Sequence, residues 1–160
     1  MATRTSTPTE DFGEWVAPWL PDVWRFAVSL SSLDDADDLV QDALARAWAK
    51  RASFDPSRGS ARSWLLAIVA DRARRRWMRR PKPVPVEPSD VAEPDGRRVD
   101  LRRAIAGLPE RQRTTIYLHY YLDLPVREVA RVLGCADGTV KSTLHDARRA
   151  LARRLEDDDA

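Results

Sequence analysis

Apolar residues recur along this chain every three to four positions and nowhere alternate with polar ones, so every element the pattern predicts is a helix. The clearest is a run in which Ala36, Leu39, Val40, Ala43, Leu44, Ala47 and Trp48 follow i, i+3, i+4, i+7, leaving Asp37, Asp38, Gln41 and Asp42 on the outer face. Upstream, a first helix is expected over residues 14–30, with Trp15, Trp19, Trp24 and Phe26 supplying core. Downstream, Phe54-Asp55-Pro56-Ser57-Arg58-Gly59 reads as a turn-rich break, and Ala61, Trp64, Leu65 and Ile68 mark the stripe of a third helix.

The last third of the chain predicts a helix-turn-helix. Leu108-Pro109-Glu110-Arg111-Gln112-Arg113 opens it. Pro125 suits a first helical position, Val126, Val129, Ala130 and Leu133 share one face, and Gly134 supplies a left-handed residue to stop the helix. A second helix, capped by Asp137 or Thr139, carries Val140, Leu144, Ala147 and Leu151 on its apolar stripe. Lys141, His145, Arg148 and Arg149 stay outside, on a helix able to enter a DNA major groove.

Pro81, Pro83, Pro85, Pro88 and Pro94 exclude a helix through residues 81–100 and predict an extended linker. The expected architecture is therefore all-α, two small helical domains over residues 11–80 and 101–155 joined by a Pro-rich linker over 81–100. With 43% hydrophobic residues the chain has ample material for packed cores.

Charge is sorted along the same divisions. Residues 1–50 hold nine acids against four bases, residues 51–82 ten bases against two acids, and residues 101–154 eleven bases against five acids. Two basic bodies suggest two separate contacts with a polyanion. Arg72, Arg74, Arg75, Arg76, Arg79 and Arg80, with Trp77 among them, would repel one another without an anionic partner, so nucleic acid is the expected one. The early acids of the second helix have two readings: favourable charge at the positive end of a helix dipole, or a docking surface.

A single cysteine, Cys135, excludes an internal disulfide framework, and two separated histidines make no metal cluster, so neither a metal nor a cofactor is expected. The longest apolar run, residues 64–70, is too short to span a bilayer, and the amino terminus lacks the apolar core of a signal peptide; a cytoplasmic protein without membrane insertion is expected. No nucleophile with a base, phosphate loop or carboxylate constellation points to an enzyme.

Residues 108–151 strongly resemble the promoter-reading module of bacterial sigma factors of the extracytoplasmic-function type, within the sigma-70 family. The amino-terminal half extends the resemblance. Asp38-Leu39-Val40-Gln41-Asp42 followed by Arg46-Ala47-Trp48 looks like the signature by which these proteins dock on the clamp helices of the largest catalytic RNA polymerase subunit, with Asp42 where Glu is usual. The resemblance implies polymerase contact through Asp38, Gln41 and Asp42, with Leu39 and Val40 beneath or at its edge, and a second contact with the polymerase flap. It implies promoter contact through Trp64, Asp71, Arg72, Arg74, Arg75, Arg76 and Arg79 at the minus-ten element, where a flipped base would be captured near Asp71. At the minus-thirty-five element it implies Thr139, Lys141, Ser142, Thr143, His145, Asp146, Arg148 and Arg149. Three positions depart from the family wording: Asp71 stands where many relatives carry Asn, and Thr143 and Asp146 where Arg is usual. Family habit also implies an anti-sigma partner. A stand-alone helix-turn-helix repressor would leave the acidic and arginine helices without a purpose, whereas a sigma-like paralogue that binds polymerase, DNA or an inhibitor without initiating would fit the departures.

Overall fold

The computed structural model describes residue 8 and residues 11–79 and 96–158, with the side chains of 97–100, 157 and 158 left aside. The chain divides into two compact units. The first is built on α1 (Phe12–Val16), a 3-10 turn (Ala17–Trp19), α2 (Leu20–Leu30), α3 (Leu33–Lys50) and α4 (Ala61–Trp77). The second is built on α5 (Gly96–Ala106), α6 (Glu110–Ile116), a π turn (Tyr117–Tyr121), α7 (Val126–Leu133) and α8 (Asp137–Asp158). Among the described residues there is no strand, and no helix is long and apolar enough to cross a membrane.

The single helix expected over 14–30 is broken. Pro18 and Pro21 lack the amide proton an α-helix interior needs, so the chain passes through the 3-10 turn and restarts with Pro21 in the first turn of α2. The hydroxyls of Ser32 and Ser60 start α3 and α4 by accepting from the Asp35 and Ser63 amides at 3.3 and 3.1 Å.

The three long helices of this unit pack on one another. Val23, Phe26 and Ala27 of α2 meet Ala36, Leu39, Ala43 and Ala47 of α3 and Leu65, Leu66, Val69 and Ala73 of α4, all buried. Asp22 and Arg62, both mostly buried, close the α2–α4 side at 2.7 Å. Two expected core residues lie on the surface: Trp24 is 36% exposed and Trp48 49%. Trp24 lies one position past Val23, about 100° around the helix from the buried stripe. Trp48 sits near the end of α3, where the Phe12 ring and the Arg51 guanidinium, 3.7 Å from its centroid, cover it only in part.

In the second unit α5 and α6 pack against α8. Leu108, Ile116, Leu118, Leu122, Leu124, Val129, Val140, Leu144 and Ala147 are buried. α5 opens at Gly96, five positions before the expected domain boundary, because no proline follows Pro94 to block it. The prolines at 81–94 and Arg80 lie outside the described residues. Arg113 and Arg154 close the far end of α5 by donating to the carbonyls of Ala106 and Gly107 at 3.0 and 2.8 Å.

Gly134 takes φ 65°, as its place after the α7 stripe predicts, and the turn is sealed by the Cys135 amide on the Ala130 carbonyl at 3.0 Å and the Gly134 amide on Arg131 at 3.3 Å. The expected cap is corrected. The Thr139 and Val140 amides bond the Ala136 carbonyl, so Asp137 is already the first helical residue and Thr139 lies within the first turn.

A Cβ at Gly134 would meet nothing within 4 Å, so any cost of adding one is purely that of the left-handed backbone. Gly134→Ala is expected to destabilise the protein by about 1 kcal/mol, and Gly134→Asn by less. Urea denaturation followed by circular dichroism checks this; an alanine variant as stable as the parent would refute it.

Candidate nucleic-acid and protein interfaces

Helix α3 presents Asp37, Asp38 and Gln41 to solvent, while Leu39 is fully buried and Val40 half-buried. Asp42 is partly covered. Its carboxylate accepts two hydrogen bonds from one guanidinium, Arg72 Nε to Oδ2 at 2.7 Å and Nη2 to Oδ1 at 3.0 Å. One turn further along α4, Arg76 donates to Asp35 at 3.1 Å and to Asp38 at 3.4 Å. The hydrogen bond that Arg72 donates to Asp42 raises it above its ordinary pKa, against the opposing effect of burial.

Asp71 is held from its own helix. Arg74 and Arg75 donate to its two oxygens at 2.8 and 2.9 Å. Burial pushes this carboxyl up, yet the two hydrogen bonds and the charges behind them outweigh it and hold Asp71 below the usual carboxylate range. The expectation that the arginine run has no internal counter-charge is therefore corrected: Arg72, Arg74, Arg75 and Arg76 all have carboxylates within the chain. Arg79 is exposed, with no ion pair among the described residues.

Trp64 lies two turns before Asp71 and is half-buried, its ring edge-on to Trp15 at 5.9 Å and to Phe54 at 5.4 Å. It belongs to the aromatic packing that joins α1 to the start of α4, away from the paired arginines.

On α8, Lys141, Ser142, His145, Asp146, Arg148 and Arg149 are exposed, and Thr139 and Thr143 partly so. The stripe of Val140, Leu144 and Ala147 turns inward and fixes this outward set by helical periodicity. The hydroxyls of Ser142 and Thr143 both donate to the Thr139 carbonyl, at 3.0 and 2.8 Å, which leaves only their lone pairs to an incoming ligand. Asp146 has no ion pair among the described residues.

Sequence reasoning missed Asp35 as a partner of Arg76 and the tyrosines at the end of α6, of which Tyr120 is 52% and Tyr121 56% exposed. The cross-helix pairs had no local signal. The π turn, in which the Leu122 amide bonds the Tyr117 carbonyl at 3.1 Å, places the tyrosines outside the helical register a period of 3.6 would predict.

Residues 15–82 match the family Sigma-70 region 2, and residues 98–151 match Sigma-70, region 4. The chain is similar to the ECF RNA polymerase sigma factor SigC of Mycobacterium tuberculosis, 36% identical over 148 residues that cover 86% of this chain and 80% of that protein. It is also similar to the ECF RNA polymerase sigma factor RpoE of Cereibacter sphaeroides, 34% identical over 165 residues, 96% of this chain and 91% of that protein. Among solved structures it resembles the sigma factor RpoE of Bartonella quintana in complex with the anti-sigma factor NepR, with a TM-score of 0.72, 32% identity, and coverage of 91% of this chain and 97% of that one. It also resembles CnrH in complex with the cytosolic domain of CnrY, with a TM-score of 0.68, 28% identity, and coverage of 92% and 88%.

The Asp71 pairing has a measurable sign. A carboxyl whose folded pKa is depressed contributes stability above its unfolded pKa and loses it as pH falls through the folded value. A carboxyl NMR titration should therefore find Asp71 titrating below an ordinary aspartate, and replacing both Arg74 and Arg75 by Ala should move it upward. An Asp71 that titrates at the same pH in parent and double variant would refute the pairing.

Proposed function

The chain belongs to the extracytoplasmic-function RNA polymerase sigma factors of the sigma-70 family, and on that premise we propose how its two units divide the work of initiation. It is a dissociable subunit that binds core RNA polymerase and directs it to promoter DNA. The catalysis of nucleotide addition belongs to the polymerase.

In the reading proposed here the outward face of α3, with Asp38, Gln41 and the free edge of Asp42, meets basic side chains of the largest-subunit clamp helices. The basic end of α4, from Asp71 to Arg79, meets the non-template strand at the minus-ten element, where bases unstacked from the duplex are held against a cationic surface. The outward face of α8 enters the major groove at the minus-thirty-five element and positions Lys141, His145, Arg148 and Arg149 near phosphates and base edges. The observation that carries the assignment is that one chain holds, in order, an acidic helix, a basic helix cross-bonded to it and a helix-turn-helix whose second helix turns six consecutive-turn polar residues outward. The Bartonella quintana RpoE–NepR complex supports a partner of the same kind here, an anti-sigma protein, and a cytoplasmic site of action follows from the reading.

Transcription in vitro by core polymerase plus this chain on genomic fragments tests the assignment: specific run-off products are expected, and their absence with core enzyme bound would favour a sigma-like binder that does not initiate. The docking face of α3 and the basic end of α4 can be separated by variants. Asp38→Lys touches only the longest of the cross-helix bonds and is expected to weaken association with core polymerase by roughly an order of magnitude at unchanged helicity. Unchanged co-purification with core enzyme would remove α3 from the docking surface.

Replacing Arg74 and Arg75 by Ala removes two cations and also uncovers the Asp71 charge. Open-complex formation, read by permanganate footprinting of holoenzyme, is expected to fall more than polymerase binding does, and its salt dependence to flatten by a slope of roughly one to two. Equal footprints for variant and parent would exclude these arginines from the melted strand.

A further inference from the structure

Tyr120 lies on none of the outward faces of α3, α4 and α8, yet among the described residues it is the exposed tyrosine that holds a cation of α8. Arg148 donates from Nε to the Tyr120 hydroxyl at 2.8 Å, and its guanidinium carbon lies 5.9 Å from the centre of the same ring. Lys141, His145 and Arg149 share the outward face of α8, and none of them has a hydrogen bond to another element among the described residues. Arg148 is thus the cation of that face whose direction is fixed from outside its own helix.

The anchor of this arrangement is itself built. The Tyr120 ring meets the His119 ring edge-on at 4.8 Å, and the half-buried His119 places Nδ1 2.8 Å from the carbonyl of Leu124, the residue before Pro125. The π turn that carries both residues is closed by the Leu122 amide on Tyr117 and by the Leu124 amide on Leu118 at 3.0 Å. The phenol is therefore mounted on the turn that leads into the helix-turn-helix.

We propose that Tyr120 and Arg148 together form a binding site for one phosphodiester group of duplex DNA, with Tyr120 both aiming the guanidinium and donating its own hydroxyl proton to the phosphate. The chemistry fits the donor count. With Nε engaged on the phenol oxygen, the two Nη groups remain to meet phosphate oxygens, and the phenol, which only accepts from Arg148, keeps its O–H to donate. A phosphate is favoured over a base edge because Arg and Tyr are common backbone donors, and because a guanidinium fixed through Nε offers its remaining donors to a charged tetrahedral group without needing base-specific register. The proposal rests on the reading that the outward face of α8 meets duplex DNA.

The test uses the full-length chain and a fluorescein-labelled duplex of mixed sequence, titrated by anisotropy at several salt concentrations. Tyr120→Phe, Arg148→Ala and the double variant are compared, with core polymerase association measured in parallel. Tyr120→Phe removes only an exposed hydroxyl, so the fold is retained; the expected loss of duplex affinity is about threefold to tenfold. Arg148→Ala is expected to lower the salt slope by about one, and the double variant to bind no more weakly than a non-additive pair requires.

Additive losses would mean that the two side chains act at separate places and would overturn the shared site. Weakening by Arg148→Ala with parental binding by Tyr120→Phe would overturn the role of Tyr120 while leaving the DNA face of α8 intact. Parental binding by both variants would sink the reading of that face, and the proposal with it. A Tyr120→Phe variant that loses core polymerase and keeps duplex affinity would make this tyrosine a protein contact and overturn the proposal.

Discussion

The first unit is organised by the charge concentrated on α4: two of its arginines are paired across to carboxylates of α3, and two more to Asp71 of α4 itself. Arg72 closes on Asp42 and Arg76 on Asp35 and Asp38. Between these charges and the α2 side lies a dry seam of small and branched residues, Ala36, Leu39, Ala43 and Ala47 against Leu65, Leu66, Val69 and Ala73. The seam supplies most of the stability, since partly exposed ion pairs contribute at most about 1 kcal/mol each. The pairs join α4 to α3 at two successive turns, through Arg72 and Arg76. Because the pairs are worth so little, a partner of either sign can take over one of their members at small cost.

The second unit solves a different problem. Helix α8 keeps a polar face exposed, and the chain satisfies the backbone around it locally, through the Gly134 turn before it and the Arg154 bond to Gly107 near its far end. Asp123, at φ 54° in the turn that precedes α7, is a non-glycine residue in the left-handed region, which Asp tolerates better than most. With these ends sealed, the outward residues of α8 carry no structural duty except that of Arg148.

The long apolar stripes were legible from sequence, because a helix that buries Ala36, Leu39, Ala43 and Ala47 must repeat them at its own period. The stop at Gly134 was legible for a similar reason, since a single residue type satisfies that backbone best. Part of what failed depended on distance. The partners of Arg72 and Arg76 lie 30 and 41 residues away along the chain, so a local count of charges found repulsion where the fold holds salt bridges. Aromatic content does not tell which side of the stripe Trp24 falls on, and Trp48, though on its stripe, lies at the end of α3, where Phe12 and Arg51 cover it only in part. The prolines at 18 and 21 stand in the sequence itself, and they break the helix expected over residues 14–30.

The two acids that depart from the family wording now separate in consequence. Asp71 and Asp146 carry the same charge on helices read as facing DNA, and from sequence both would repel phosphate. Asp71 lies between Arg74 and Arg75, each bonded to one of its oxygens, so what approaches this part of α4 meets a carboxylate already outnumbered by two guanidinium groups. Each of its oxygens already accepts from an arginine, so a base held there would share these acceptors with Arg74 and Arg75. Asp146 stands exposed with no such pairing among the described residues, so its field reaches a neighbouring phosphate with only solvent screening. At Asp71 the substitution is therefore absorbed by its neighbours, whereas at Asp146 it is paid in repulsion unless a base edge with a donor, such as a cytosine amino group, faces it.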